Sequence, residues 1–338
     1  MTCQRKISSP PLVPCLSLRE HFEALGFSLA VTAALFSGAW GQVLFFRDLS
    51  FFSYPGIFFF KHSLLAGEIP LWNPFLRLGY PFLAELTSGA ALYPLNLLYL
   101  LFPIPLGMKL LLAVHYLLTG YWMWRLLREW GVDHVSGMFG ALVWMASGYL
   151  VSMNCNIGYF FPLTWYPALL YCGHRLLRWR QRRWFLLTGL CWAMILLAGD
   201  PQAFLFAGAL LFLYWLLSFW GLSRAGRGGQ SARLRELAVL LVLTGVLTLL
   251  LILAQFLPSL EFGASTTKLS GFSLEEATLW SHHPWRLLEW IWPELWGPAF
   301  PSDKFWGRFL RIYDQVNWSG LVYLGLFPLG IAVAHFRS

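Results

Sequence analysis

Long blocks of hydrophobic residues follow one another along this chain and are separated by shorter polar segments. Eight such blocks can be delimited, at 24–46, 108–127, 135–151, 157–173, 184–199, 203–220, 237–257 and 320–334. They lack the regular alternation of half-buried strands, and their length indicates repeated membrane helices, although several are shorter than the roughly 20 residues that cross a bilayer core. The pattern therefore predicts an all-α, polytopic integral membrane protein with about eight transmembrane helices.

The composition agrees with a membrane protein. Of 338 residues, 58% are hydrophobic and 12% are charged, whereas a soluble domain carries about 25% charged residues. The net charge of +8 arises from basic residues concentrated in a few short loops, as the positive-inside rule expects. The basic balance therefore indicates orientation in a membrane, and nucleic-acid binding is a poor explanation for it.

The basic loops also predict which segments face the cytoplasm. If the loops at 125–128, 175–183 and 224–235 share one side with the N-terminus, every hydrophobic block alternates consistently. We therefore expect a cytoplasmic N-terminal segment, residues 1–22, and a single transmembrane domain, residues 23–338. A glycine-, serine- and arginine-rich cytoplasmic linker is expected at about 222–236.

Two long segments, about 47–107 and 258–319, are then exported. Within the first, residues 51–66 are rich in aromatic side chains and could form a helix lying in the interface. Residues 92–102 are apolar but short, so they could re-enter the membrane or pack on the second span. If they crossed it, every later orientation would be reversed.

Three exported carboxylates are candidates for catalysis: Asp48, Glu85 and Asp200. Asp48 follows the first hydrophobic block, where it could act as a general base or help to hold a divalent cation. It could also be a solvated charge paired with Arg47. Glu85 could point back towards Asp48, although spacing alone does not decide this.

Asp200 lies between two apolar blocks, directly before Pro201. An aspartate followed by proline is typical of a helix N-terminus. An ionisable group at membrane depth is also a candidate for function. Both interpretations stay open, and in the second Gln202 would help to line a cavity.

Several residues of the first exported segment are candidates for contacting a substrate. The cations Arg47, Lys61, His62 and Arg77 could hold a phosphate, although such side chains at interfaces also extend to lipid headgroups. The further candidates, Glu68, Trp72, Asn73 and Tyr80, lie in a stretch punctuated by glycine and proline, where turn formation is an alternative role.

Other chemistries find little support. The five cysteines have no ligand-like spacing, which argues against a disulfide framework or a zinc site. No phosphate-binding loop, dinucleotide-binding fingerprint, zinc-protease motif or serine-nucleophile motif occurs.

A set of motifs resembles a known family. These are Asp48 after the first block, the stretch Gly67-Glu68-Ile69-Pro70-Leu71-Trp72-Asn73-Pro74, then Gly79-Tyr80-Pro81-Phe82, Ser88-Gly89, Tyr93-Pro94-Leu95-Asn96-Leu97 and Gly199-Asp200-Pro201-Gln202. Together they resemble the YfhO-like bacterial membrane proteins, which belong to the superfamily of GT-C fold glycosyltransferases. The resemblance covers roughly residues 46–330.

This resemblance implies a multi-pass protein of the bacterial inner membrane with its N-terminus in the cytoplasm. It also implies transfer of a sugar from a polyprenyl-phosphate donor to an extracytoplasmic acceptor, such as a cell-envelope glycan, lipid or protein. In the superfamily a carboxylate of the first outer loop is catalytic, and Asp48 occupies the matching position. A divalent cation such as Mg²⁺ or Mn²⁺ is compatible with this chemistry but not demanded by it. Two alternatives stay open: a transporter or flippase of a lipid-linked saccharide, and a non-catalytic scaffold for envelope assembly.

Overall fold

The computed structural model describes residues 16–39, 41–86, 90–224, 230–266, 271–278, 281, 283–298, 304–307, 309 and 323–336. This part of the chain is helical, and its one β-type pairing is an antiparallel bridge between Asn73 and Tyr80. The predicted all-α class is therefore confirmed for the residues described.

The helices, in chain order, are α1 (Leu18–Leu35), α2 (Tyr54–Leu65), α3 (Leu98–Leu101), α4 (Ile104–Glu129), α5 (His134–Met145), α6 (Gly148–Ser152), α7 (Ile157–Thr164), α8 (Tyr166–Trp179), α9 (Arg182–Leu197), α10 (Pro201–Arg224), α11 (Gln230–Ala264), α12 (Leu274–Thr278) and α13 (Leu326–Phe336). Short segments of tighter or wider helix occur at Leu49–Ser53, Pro94–Leu97, Met153–Cys155 and Pro284–Trp290.

Helix α4 lies at the centre of the molecule and packs against α1, α5, α7 and α8, while α9 packs against α8, α10 and α11. Small residues allow the close approaches. A β-carbon at Gly120 of α4 would lie 2.3 Å from the Met145 sulfur and 2.9 Å from the Ser28 hydroxyl. Glycine at such a crossing lets helices pack closely, which is typical of membrane helix pairs.

Among the residues that the structure describes, three helical segments are long and apolar enough to cross a membrane: Ile104–Glu129, Pro201–Ser218 and Ala238–Ala264. A fourth span results if His134–Met145 and Gly148–Cys155, which meet at a bend of 41°, are counted together. The structure therefore supports a protein with membrane helices, whereas the predicted number of about eight is not confirmed.

Three of the first four predicted blocks differ from the helices observed, and the third of these blocks, 135–151, is divided into α5 and α6. The first, 24–46, is helical only to Leu35, and residues 41–46 have no helix. The fourth, 157–173, is divided into α7 and α8 at Trp165. Pro162 and Pro167 flank this junction, and proline removes a backbone donor, which explains why one continuous helix does not form.

The short apolar stretch at 92–102 does not form a spanning helix. It consists of the turn Pro94–Leu97 and the four-residue α3, which packs against α4. Tyr99 is fully buried there, 2.9 Å from the position of a β-carbon on Gly107. The interpretation that this stretch packs on the second predicted span is therefore confirmed.

Other predicted segments are partly reproduced. Helix α2 forms within 51–66, α1 begins inside the predicted N-terminal segment, and α13 begins at Leu326, later than the predicted 320. Helix α10 extends to Arg224 and α11 starts at Gln230, so the predicted linker 222–236 is narrower, and residues 225–229 lie outside the described residues. Helix α11 continues to Ala264, beyond the predicted end at 257.

The long helices have two chemically different ends. At one end, arginines of α4 and α8 pair with acids: Arg128 with Glu20 and Arg175 with Glu129, each at 2.8 Å. At the other end, the loop 66–86 is fastened to α11, where Gln255 and Ser259 donate hydrogen bonds to the carbonyl groups of residues 83 and 84. The first predicted exported segment thus covers the end opposite the basic residues.

Candidate functional site

Asp48 lies where the chain turns from an extended stretch into helical conformation. The preceding Arg47 has a φ of 48°, in the left-handed region, and its carbonyl oxygen accepts a hydrogen bond from the Ser50 amide at 3.0 Å. The half-buried Asp48 carboxylate accepts a hydrogen bond from the Asn156 side-chain amide at 2.6 Å. This short contact fixes Asp48 against the turn between α6 and α7.

The turn that holds Asp48 is the segment 153–159, which we call the central turn. It comprises the helical turn Met153–Cys155, then Asn156 with a φ of −138° and a ψ of 89°, and the start of α7. Met153 and Ile157 belong to the main apolar core. The turn is therefore anchored on apolar side chains while it presents Asn156 to Asp48.

The Gly199-Asp200 turn contacts the other side of the central turn. Gly199 has a φ of 125°, which favours glycine. A β-carbon there would lie 3.0 Å from the Leu86 carbonyl oxygen and 3.3 Å from the Gly158 α-carbon. Three chain segments thus meet at Gly199: the α9–α10 turn, the central turn and the end of the loop 66–86.

Asp200 caps helix α10, as its position before proline predicts. Its Oδ1 accepts a hydrogen bond from the Gln202 amide at 2.8 Å, and Pro201 is the first helical residue. The side chain is buried, and this burial raises the pKa of the Asp200 carboxyl group, against the opposing effect of the backbone hydrogen bonds. In the described part of the chain, no lysine, arginine or histidine forms an ion pair with Asp200.

Glu85 is half-buried and directly precedes Leu86, whose carbonyl contacts the Gly199 turn. Its backbone amide donates to the Pro81 carbonyl at 3.2 Å. The segment that carries Glu85 therefore contacts the Gly199-Asp200 turn next to the central turn, which also holds Asp48. All three candidate carboxylates lie on segments that meet around the central turn.

Two cavities adjoin the central turn. The first, of about 420 Å³, lies beside Arg47 and is mainly apolar; its lining includes Leu35, Phe36, Leu44, Phe46, Leu49, Asn154, Cys155 and Glu294. The Arg47 side chain reaches the Cys155 thiol there. We call it the Arg47 cavity.

The second cavity, of about 470 Å³, lies on the Asp200 side and is lined by Tyr149, Tyr159, Leu163, Tyr166, Asp200, Gln202, Ala203, Phe206 and Ala277. We call it the Asp200 cavity. Tyr159 belongs to the central turn, whose Asn156 binds the Asp48 carboxylate. The central turn therefore contributes to the lining of this cavity as well.

Other candidates from the first exported segment have structural contacts away from the central turn. The Lys61 ammonium group donates to the Phe102 carbonyl at 2.8 Å, and the exposed His62 ring stacks on Phe58 and bonds its carbonyl. These two contacts tie α2 to α3 and order the last turns of α2.

Glu68 lies at the C-terminal end of α2. Its amide donates to the Ser63 carbonyl at 2.9 Å, after Gly67 in left-handed conformation with a φ of 78°. This is the Schellman arrangement, which closes a helix C-terminus. Glu68 thus helps to end α2, in agreement with the turn-forming role that the sequence offered, and its side chain is exposed.

Asn73 and Tyr80 pair through two backbone hydrogen bonds of 2.9 and 3.0 Å, and the buried Asn73 side chain accepts from the Phe75 amide. Asn73 is therefore a turn former. Arg77 is exposed and lies over the Phe52 and Tyr80 rings, at 5.1 and 5.8 Å. Trp72 is also largely exposed.

Sequence reasoning missed Asn156 and the three tyrosines of the Asp200 cavity. It also missed a buried chain of hydrogen bonds from Trp165 through Tyr93 to His115. The His115 Nδ1 must carry a proton because it bonds the Leu111 carbonyl at 2.7 Å, so Nε2 accepts from the Tyr93 hydroxyl at 2.6 Å. This chain explains Tyr93 of the Tyr93-Pro94-Leu95-Asn96 motif as a core residue.

A divalent cation finds few protein ligands. Among the described residues, no three His, Cys, Asp or Glu side chains converge as a metal site. The nearest polar partner of Asp48 is an amide that donates to it, whereas a cation needs lone pairs from its ligands. The side chains around Asp48 therefore do not fit a metal held by the protein alone.

The comparisons with known proteins found no counterpart: no protein-family model and no curated protein matches this sequence, and no solved structure matches the fold. Membership of the YfhO-like family therefore stays a prediction that rests on the motifs quoted above.

Proposed function

We propose that this chain is a membrane glycosyltransferase of the GT-C type. It transfers a sugar from a polyprenyl-phosphate donor to an acceptor of the cell envelope, outside the inner membrane of a bacterium, with Asp48 as the catalytic carboxylate. The observation that carries the proposal is the meeting of the segments of Asp48, Glu85 and Asp200 around the central turn, between two cavities of different chemistry.

The site supports a direct displacement at the sugar. The acceptor hydroxyl gives its proton to the Asp48 carboxylate while its oxygen forms a bond to the anomeric carbon of the sugar. The bond from that carbon to the phosphate oxygen breaks, and polyprenyl phosphate leaves with the electron pair. Asn156 keeps the carboxylate in position by its 2.6 Å hydrogen bond.

The Arg47 cavity suits the donor. Its leucine and phenylalanine lining can take the first apolar units of a prenyl chain, and Arg47 at the same cavity supplies a positive charge for the phosphate. Lys61 is bound to a carbonyl group of the α3 end, and Arg77 lies over aromatic rings. Because Arg47 lines this cavity, we assign the phosphate to Arg47.

The proposal is tested with purified protein in lipid nanodiscs and a panel of radiolabelled polyprenyl-phosphate monosaccharides. Asp48→Asn should lower transfer by about 100-fold or more, because a general base contributes about 10²–10⁴-fold. Glu261→Gln, which neutralises an exposed carboxylate of α11, is the matched control and should transfer at the wild-type rate.

Equal transfer by wild type and Asp48→Asn would remove Asp48 from the mechanism. If the purified protein unfolds cooperatively, and is therefore folded, but transfers no sugar from any donor, the proposed glycosyltransferase activity is contradicted. In that case, movement of a fluorescent lipid-linked saccharide across the same bilayer would favour the transporter, and its absence would favour the scaffold.

A further inference from the structure

We infer that the Asp200 cavity is a binding site for a pyranose ring of a carbohydrate acceptor, separate from the donor side of the central turn. This inference rests on the proposed function and specifies its acceptor as a saccharide. It is carried by the combination of three tyrosines, a glutamine and a buried carboxylate around one cavity of about 470 Å³.

The aromatic lining suits a sugar. A pyranose ring has apolar faces formed by its C–H groups and a rim of hydroxyls, so it packs against aromatic rings while its rim makes hydrogen bonds. Tyr149 and Tyr159 supply both an aromatic ring and a hydroxyl. The volume lies within the range of about 300–1,000 Å³ that is usual for small-molecule sites.

The polar lining suits hydroxyl donors. Asp200 is buried and has no cationic partner among the described residues, and the structure gives it hydrogen bonds from backbone amides at the start of α10. A carboxylate has about four lone-pair positions, so acceptor capacity is left for ligand hydroxyls. Gln202 lies exposed at the same cavity and adds a donor and an acceptor.

The position of the cavity fits an acceptor. The Arg47 cavity, to which we assign the donor, contacts Val151, Ser152, Asn154 and Cys155, while the Asp200 cavity contacts Tyr149 and Tyr159 of the same chain segment. Asn156 of the same segment holds the Asp48 carboxylate. A sugar in the Asp200 cavity would therefore lie against the chain segment that positions the proposed base.

The test is direct binding without any donor. Saturation-transfer difference NMR on the whole protein in nanodiscs would use four probes: methyl α-D-glucopyranoside, methyl β-D-galactopyranoside, methyl α-D-mannopyranoside and methyl N-acetyl-β-D-glucosaminide. We expect saturable binding of at least one probe. Asp200→Asn should weaken it about tenfold or more through loss of hydrogen bonds to a charged group, and Tyr149→Ala should weaken it through loss of a ring face.

Asp200→Asn is a suitable variant because asparagine caps a helix about as well as aspartate, so α10 should keep its start. Glu261→Gln, which neutralises an exposed carboxylate of α11 away from both cavities, is the matched control and should bind the probe like the wild type. No saturable binding of any probe, or binding that neither Asp200→Asn nor Tyr149→Ala changes, would overturn the inference. The binding measurement uses no sugar donor, so its result is independent of transfer. Probe binding without sugar transfer would support the sugar-binding site and contradict the proposed glycosyltransferase activity.

Discussion

Asp200 caps α10, which is one of the two interpretations that the sequence left open, while its functional role stays a prediction. It accepts a hydrogen bond from the Gln202 amide as the cap of α10, and it lines the cavity with Tyr149, Tyr159 and Tyr166. The proline after it made the cap predictable. The tyrosines were not predictable, because they precede Asp200 by about 34 to 51 positions in the chain and belong to helices whose faces the sequence does not fix.

The raised pKa of Asp200 predicts a particular dependence of stability on pH. Burial favours the neutral acid in the folded protein, so the folded state binds more protons than the unfolded state at pH values above about 4. The contribution of Asp200 to the free energy of unfolding is therefore largest below that pH, and it decreases as the pH rises through the folded-state pKa. Asparagine does not titrate, so the Asp200→Asn variant does not show this decrease.

The measurement is the thermal unfolding midpoint of wild type and Asp200→Asn from pH 4 to pH 8. We expect the difference between the two midpoints to shift in favour of the variant as the pH rises. A difference that stays constant, or moves in favour of the wild type, would contradict the burial of a titrating carboxyl group at this position.

Asn156 is the site residue that sequence reasoning was least able to find. An uncharged amide in a short turn gives no signal by charge or spacing, and its role depends on the 2.6 Å contact with Asp48 across the fold. The carboxylate itself was predictable, since it follows a hydrophobic block. The side-chain amide of Asn156, which donates the hydrogen bond that orients Asp48, could be identified only in the folded structure.

Asn156→Ala should lower kcat of the proposed transfer by about 10- to 100-fold, because a hydrogen bond to a charged group contributes about 1.5–3 kcal/mol. KM for the donor should change little, since Asn156 does not line the Arg47 cavity. Steady-state kinetics beside a thermal unfolding curve would check this. A change confined to KM or to the unfolding midpoint would contradict the positioning role.

Among the elements, the α9–α10 turn is where the loop 66–86 and the central turn come into contact at Gly199. Gly199 has a positive φ and leaves no room for a side chain beneath the Leu86 carbonyl. Gly199→Ala should therefore strain the turn and lower stability by about 1–3 kcal/mol. Gly245→Ala in α11 is the control, because nothing lies within 4 Å of its β-carbon position and alanine favours helix.

Thermal unfolding of both variants in the same nanodiscs tests this element. The Gly199 variant should unfold at a clearly lower temperature than wild type, and the Gly245 variant at the same temperature or higher. Equal midpoints for the two variants would mean that the contact of Gly199 with the loop 66–86 does not stabilise the fold.

The sequence predicted the long helices better than the short ones. Blocks at 108–127, 203–220 and 237–257 correspond to α4, α10 and α11, where apolar residues continue without a break. The predicted block 157–173 was wrong as a single helix, because proline interrupts it: α7 and α8 meet between Pro162 and Pro167. Hydrophobicity alone does not report such divisions, because both halves are apolar.

The molecule as a whole is polarised between its two ends. Arginines of α4 and α8 lie at one end, paired with Glu20 and Glu129, and the loop 66–86 covers the other. The positive-inside rule then predicts that the loop end faces the exterior.

Cysteine labelling in intact spheroplasts would check this orientation. In a parent with Cys3 and Cys15 replaced by serine, Leu78→Cys on the exposed loop should react with a membrane-impermeant maleimide. Trp179→Cys at the basic end should react only after permeabilisation. The parent without an added cysteine is the control, since Cys155, Cys172 and Cys191 are buried. Labelling of the Trp179→Cys variant in intact spheroplasts, with labelling of Leu78→Cys only after permeabilisation, would contradict the predicted orientation.

The central turn has one more consequence, because the chain segment around it forms part of the lining of both cavities. A molecule that shifts this shared wall from one side changes the free energy of occupancy on the other side. Thermodynamic linkage requires the effect to be reciprocal, so a lipid phosphate that changes the affinity for a sugar must have its own affinity changed by the same factor. The two cavities would then behave as one coupled pair of equilibria, with the central turn as their shared wall.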